Sequence, residues 1–333
     1  MARRPSITSR IEKRSAHDTF AEPPARNASL IGVGIFSHSG EFTVRATDLR
    51  VPCRIYALEC TRTFRTSRRD VIGLLGRGWG LAYDEYVQSD GRVLYHHAGD
   101  GLVSAYYARS NGRVYEGGAG VYATMERRPR TLVLRQPGGQ TSTFILRGDR
   151  FELTNVSDVN RNQLSVVRSI DTLTVQDDFS RALTYRLVDG RVAQLVDHRG
   201  LIWSFAYDDA DRLIEVRSPA SPAFPNGVAC AYRYDSRHRL VTMISRRGTV
   251  ALTNWYDDGD RVVKQQQGNT TLSIRYTPSG ITTTVRGNGA REERSERSCD
   301  PAPPICLGGQ PRRCRQQEGH DCDRYHLAVQ SRR

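Results

Sequence analysis

From Ile31 to about Val285 apolar and polar positions alternate in short runs with a period of two rather than 3.6. Trp203, Phe205 and Tyr207 fall on one side of an extended strand, and Ser204, Ala206 and Asp208 on the other. Cys230, Tyr232 and Tyr234 repeat the pattern, as do Leu272, Ile274 and Tyr276. Asp-Gly, Asn-Gly, Gly-Asp and Pro-Gly pairs punctuate the runs as turns do. No stretch carries a 3.6-residue apolar stripe. The pattern predicts an all-β chain of hairpins, with under about a tenth of its residues in helix.

One signature returns along the chain. Tyr207-Asp208-Asp-Ala-Asp-Arg212-Leu213, Tyr234-Asp235-Ser-Arg-His-Arg239-Leu240 and Tyr256-Asp257-Asp-Gly-Asp-Arg261-Val262 each join Tyr-Asp to an arginine five positions after the tyrosine, followed by an aliphatic residue. The tyrosines step by 234 − 207 = 27 and 256 − 234 = 22 residues, and the longer step holds the Pro-rich insert 218–227. Weaker copies stand at 146–151, 187–192 and 276–285. Each unit reads as strand, Asp-rich turn, strand, with the aspartates capping the turns and pairing with Arg212 or Arg261. A lone hairpin is marginal in water, so such units must stack edge to edge, and the repeat predicts tandem hairpins in an extended curved sheet.

The chain divides into four segments on this reading. Residues 1–30 are polar and basic, with Pro23-Pro24, and read as a disordered arm. Residues 31–145 read as a leading domain of irregular hairpins, 146–285 as the repeat array, and 286–333 as a tail without strand alternation. That tail has no Phe or Trp and holds four of the seven cysteines. It reads as disordered or as the product of a shifted reading frame.

Composition changes the picture little. The net charge is +13, but only Lys13 and Lys264 are lysines, and the other 49 − 2 = 47 basic residues are arginines spread along the chain. Without a basic stripe, no specific nucleic-acid partner is predicted. No run reaches the ~18 apolar residues of a membrane helix, and no apolar segment follows the basic start as in a signal peptide. Cys299, Cys306, Cys314 and Cys322, with His320 and His326, lack the Cys-x2-Cys knuckles of a zinc site, so no metal is predicted. Cys53 and Cys60 stand too far apart along one strand to bond. Gly32-Val-Gly34 and Gly76-Arg-Gly-Trp-Gly80 precede no helix and read as turn or bulge glycines rather than a phosphate cradle. His96, His97 and His198 read as surface or turn residues, and no catalytic arrangement or cofactor site stands out.

At its repeats the sequence resembles the bacterial Rhs/YD-repeat family. Ser39-Gly-Glu-Phe42, Asp48-Leu-Arg-Val-Pro-Cys53-Arg54, Thr61-Arg-Thr-Phe-Arg65 and Gly76-Arg-Gly-Trp79 resemble the opening domain of large Rhs proteins, and Gly120-Val-Tyr-Ala-Thr124 its closing stretch. Cys53 stands where that family usually carries glycine. The resemblance implies part of a shell of hairpins that encloses a C-terminal toxin or effector. The family's self-cleaving aspartates belong to a later Asp-Pro-x-Gly motif that this sequence does not contain, so no catalytic residue carries over. The expectation is a structural fragment that is not an enzyme and is not functional alone. One alternative is a module binding glycans or another surface ligand through its tyrosines, and another is the front part of a toxin. Expected partners are the toxin cargo or remaining Rhs core, a glycan, and a second copy joined at the sheet edge Leu272 to Tyr276. The family implies a secreted or cell-surface location, and a truncated product would stay in the cytoplasm.

Overall fold

A computed structural model describes residues 30–52, 58–109, 112–118, 120–277, 280–287 and 290–297. Among them the chain is strands and turns, with a single 3-10 turn at Thr66–Arg68. The first strands form three small sheets. β1 (Leu30–Ile31) pairs with β2 (Ile35–Phe36), and β3 (Thr43–Val51) with β4 (Leu58–Arg65) and β7 (Trp79–Leu81). β5 (Ile72–Gly73) pairs with β6 (Gly76–Arg77).

Among the described residues every strand after Ala82 belongs to one antiparallel ladder, from β8 (Tyr86–Asp90) and β9 (Val93–His97) to β27 (Gly280–Gly287) and β28 (Ala290–Arg297). The ladder is not a simple open sheet, as the repeat alone predicts. It closes into a barrel where the first half of β15 (Arg150–Ser157) pairs with β8, Phe151 opposite Val87. The second half of β15 pairs with β16 (Gln163–Arg168), from which the remaining hairpins continue. One strand therefore ends the ring and begins the array. Closing the ring removes the exposed edge that β8 would otherwise present.

The ladder starts ahead of residue 146: the strands from β8 onward already alternate with a period of two and pair each with the next. The ladder also passes Val285. β27 pairs with β28 through Gly280 opposite Arg297 and Gly287 opposite Ala290, a stretch of arginine and glutamate that sequence reading assigned to the tail. Charged residues hide the strand pattern there, while the backbone pairing does not depend on them. The strand Leu272 to Tyr276 is consequently no free edge, since β27 covers it. Residues 1–29 and 298–333, with Cys53 and the four tail cysteines, lie outside the described residues.

The core lies on the inner face of the ladder, against the leading domain. Trp203, Phe205, Tyr232, Leu272 and Ile274 are buried where the alternation puts them. On each return strand the alternation skips a step, and Leu213 and Val216 are both buried. A β-bulge explains this: Tyr207 faces Leu213 while Ala206 faces Glu215, leaving Ile214 as the extra residue. The same bulge occurs at Leu187, Tyr234 and Tyr256, so Val192/Leu195, Leu240/Met243 and Val262/Gln265 are the corresponding inward pairs.

One of these inward positions is polar. Gln265, only 3% exposed, donates from Nε2 to the Val33 carbonyl at 2.9 Å and accepts from the Val33 N–H at 2.7 Å. It also donates to Asn254 Oδ1 at 3.0 Å. It thus ties the N-terminal segment to the array. Gln265→Leu restores the apolar residue type of its counterparts, yet it strands the Val33 groups and Asn254. We expect a loss of about 2–3 kcal/mol in chemical denaturation. Met243→Leu at the equivalent place should cost under about 1.5 kcal/mol.

Candidate functional site

The repeat signature builds one constellation three times. Asp208 Oδ1 accepts from the backbone N–H groups of Ala210 and Arg212, while Oδ2 accepts from Arg212 Nε at 2.7 Å. Asp235 does the same for Arg237 and Arg239, and Asp257 for Arg261. The residue before each arginine takes a left-handed conformation, with φ of 63° at Asp211, 59° at His238 and 63° at Asp260. Asp tolerates that region better than bulkier residues, and so does His.

The arginine then reaches the next hairpin. Its guanidinium lies over the following tyrosine ring: Arg191 over Tyr207 at 5.2 Å, Arg212 over Tyr234 at 5.5 Å, Arg239 over Tyr256 at 4.9 Å and Arg261 over Tyr276 at 4.6 Å. Each of those tyrosines donates its hydroxyl back to the carbonyl just after the arginine: Val192, Leu213, Leu240 and Val262, at 2.7–2.8 Å. Arg212 and Arg239 also donate to the carbonyls of Asp235 and Asp257 in the next turn. The Tyr, Asp and Arg of the signature are therefore a staple between neighbours, not three independent features of one hairpin.

The leading domain lies across the stapled row. Arg62, 1% exposed, forms a two-pronged bond with Asp48 at 2.6 and 3.0 Å and sits near the rings of Trp79 and Tyr232. Burial works against the Arg62 charge, and the Asp48 carboxylate beside it more than compensates. Arg65 makes the matching fork with Glu41. Trp79 Nε1 donates to the Tyr234 hydroxyl at 2.8 Å. At Gly76 (φ +80°) a Cβ would overlap the Asp211 carbonyl, and at Gly34 (φ +71°) the Thr43 carbonyl. These glycines serve close backbone approach, not phosphate.

Residues 35–106 match a family described as a domain of unknown function (DUF6531), and residues 188–223 match the RHS Repeat. The chain carries an Rhs/YD repeat. No curated protein matches it. Among solved structures, a porin-like protein from Bacteroides uniformis is 10% identical, with 64% of this chain and 95% of that chain covered. Its TM-score of 0.20 is too low to bear on fold or function.

In this Rhs-repeat chain the structure brings together every repeat residue singled out in sequence: Tyr207, Asp208, Arg212, Tyr234, Asp235, Arg239, Tyr256, Asp257 and Arg261. It corrects one histidine. His96 is buried, because it alternates inward with Leu94, and it lies 3.1 Å from Glu85 and edge-on to Phe144. His97 stacks on Tyr86, while His198 is exposed in a turn. No group of three or more metal-ligating side chains occurs among the described residues. Sequence reading missed a second set of aspartate turns at the opposite rim, where Asp177 binds Arg181 and Asp197 binds Arg199. Asp177-Asp-Phe-Ser-Arg181 has the repeat spacing without its tyrosine, which was the available signal. It also missed Asn254 and Gln265, two polar residues at inward positions.

The staple can be tested bond by bond. Tyr207→Phe removes one hydroxyl bond and should cost about 1 kcal/mol, whereas Tyr234→Phe also strands the Trp79 N–H and should cost about 2–3 kcal/mol, both read from denaturant midpoints. The turns also set a pH response. Burial alone would raise the Asp208 and Asp257 carboxyls, but the backbone N–H, guanidinium and charge of Arg212 and Arg261 outweigh it and hold them below the usual range. A carboxyl depressed on folding stabilises above its unfolded pKa of about 4 and loses that contribution as pH falls further. Melting temperature should therefore drop below about pH 4, and Asp208→Asn should flatten the drop.

Proposed function

We propose that this chain is a wall element: the opening domain and first hairpins of an Rhs shell that, in its full-length form, encloses a toxin or effector. The observation that carries this reading is that the repeat side chains are used up by holding hairpin to hairpin. Four tyrosine hydroxyls end on backbone carbonyls, and the signature aspartates are bonded to their own turns and arginines. A row of such residues transmits mechanical continuity and offers no free nucleophile or base. The cleft lined by Asp84, Arg150, Arg168, Asp189, Arg191 and Asp211 is likewise occupied by internal pairs, Arg168 with Asp84 at 3.1 Å and Arg191 with Asp211. The buried Cys60 thiol is pushed up by burial, far from a reactive thiolate.

In this reading residues 30–83 form the floor on which the first turns of the wall rest, and cargo lies beyond the hairpins described. Among the described residues no helix is long and apolar enough to cross a membrane, which says nothing of β-strands. Delivery to the cell surface or outside fits a toxin carrier. The most direct test reads the DNA just downstream of the coding sequence in all frames: further Tyr-Asp…Arg hairpins and an effector domain are expected, and their absence in every frame would contradict the wall reading. The purified chain should show no turnover of glycan, peptide or nucleic acid. Reproducible turnover abolished by changing one aspartate or histidine would replace a scaffold with an enzyme.

A further inference from the structure

The five strands from β22 (Ala229–Tyr234) through β23 (Leu240–Ile244), β24 (Val250–Tyr256) and β25 (Val262–Gln267) to β26 (Thr270–Thr277) contain no aspartate or glutamate. Every acid between 229 and 277 sits in a turn: Asp235, Asp257, Asp258 and Asp260. Asp235 and Asp257 are tied to the arginines of their own turns, and Asp260 pairs with Arg69 and Arg237. The strands keep their cations. Tyr232, Gln265 and Ile274 are buried, so their neighbours Arg233, Lys264 and Arg275 turn to the outer face. Among the described residues none of these three pairs with a carboxylate.

Pairing gathers what the sequence scatters. Lys264 follows Arg233 by 264 − 233 = 31 residues and Arg275 follows Lys264 by 275 − 264 = 11, so no basic stripe shows along the chain. In the ladder Trp255 faces Lys264, and Lys264 faces Ser273. Arg275, two residues beyond Ser273, is the diagonal neighbour of Lys264, about 7–8 Å away. A second row runs alongside, in which Arg233 faces Thr242, Thr242 faces Thr253, and Thr253 faces Gln266. Arg233 thus stands two strand spacings, about 9–10 Å, from Thr253. The Lys264 ammonium lies 4.5 Å from the centroid of the Trp255 ring, which is 39% exposed, whereas Trp79 and Trp203 are buried. The face is cationic at its corners, polar but uncharged between them, and aromatic at one point.

We propose that the outer face of β22–β26 is a binding surface for single-stranded nucleic acid, with Arg233, Lys264 and Arg275 meeting phosphates and Trp255 stacking on a base. A phosphate backbone brings closely spaced negative charge, and no carboxylate on these strands repels it. An aromatic ring in a positively charged row stacks on any base, so the binding carries little sequence preference. Thr242, Thr253 and Gln266 can hydrogen-bond sugar and phosphate oxygens between the cations. A bilayer surface would call for an apolar face here, not threonine, serine and glutamine. A rigid duplex touches a twisted sheet along a line, while a flexible strand can follow it. This surface lies on the side of the array away from the leading domain and does not rest on the wall reading.

The test titrates the full chain into a fluorescein-labelled oligothymidylate of about 16 nucleotides, within the site sizes of single-strand binders. Anisotropy should rise to saturation, and log Kd should increase by about 2 for each tenfold rise in salt, as three phosphate contacts on a single strand require. Unlabelled oligothymidylate should quench the fluorescence of the exposed Trp255, and Trp255→Ala should abolish that quenching and weaken binding about tenfold with the salt dependence unchanged. Arg233→Glu combined with Arg275→Glu should weaken binding at least about tenfold and flatten the salt dependence, with melting temperature unchanged. Where that pair lowers the melting temperature, Arg233→Gln with Arg275→Gln serves in its place. Arg147→Glu, at an exposed arginine on another strand, should leave binding intact. No binding at low salt overturns the proposal, as does binding that survives the paired arginine substitutions. Tighter binding to a duplex of the same length or to phosphatidylserine vesicles would overturn the assignment to a single strand.

Discussion

The structure depends on the arginine of one hairpin lying over the tyrosine of the next. A β-hairpin has two edges and one apolar face, and backbone pairing alone does not fix which residue meets which. The staple does. The guanidinium is anchored by its own turn aspartate, lies over the next ring, and sits beside the carbonyl that the ring's hydroxyl bonds. A slip of one residue would turn the tyrosine to the other face and break all three contacts at once. Each contact is modest, on the order of 1 kcal/mol for an exposed cation and ring or a hydrogen bond. Four in series make register a property of the whole array.

The bulge beside each of these turns belongs to the same device. It lets tyrosine and the aliphatic residue after the arginine both face inward, so the hydroxyl reaches the Leu213 or Leu240 carbonyl. It also increases local twist, which turns a ladder toward closure. The leading domain completes the arrangement from the inner side. Gly76 meets the array at Tyr207 and Gly40 meets it at Tyr276, so residues 30–83 span the row from its first stapled ring to its last.

Much of this was legible in the sequence. The inward faces of Trp203, Phe205 and Tyr207 follow from alternation, and the turns from the Asp-rich quartets, because local geometry fixes both. The motifs around Glu41, Asp48, Arg62, Arg65 and Trp79 marked a real domain, but not that Asp48 binds Arg62, Glu41 binds Arg65, or Trp79 reaches Tyr234. Those pairings span 14, 24 and 155 residues and depend on topology. The closure at β8 and β15 was hidden for the same reason, since nothing in Val87 or Phe151 announces a partner. The strand Ala290–Arg297 was hidden by its charge. Gln265 and Asn254 were visible as exceptions to the apolar pattern, and such exceptions mark where one part of the chain grips another.

The central claim is that the arginine of one hairpin and the tyrosine of the next act as a unit. A double-mutant cycle on Arg239→Ala and Tyr256→Ala, whose guanidinium and ring are 4.9 Å apart, measures it directly by equilibrium unfolding. Coupling of at least about 1 kcal/mol is the predicted result. Additivity to within about 0.3 kcal/mol would show that the two side chains stabilise their own hairpins independently, and would contradict the account.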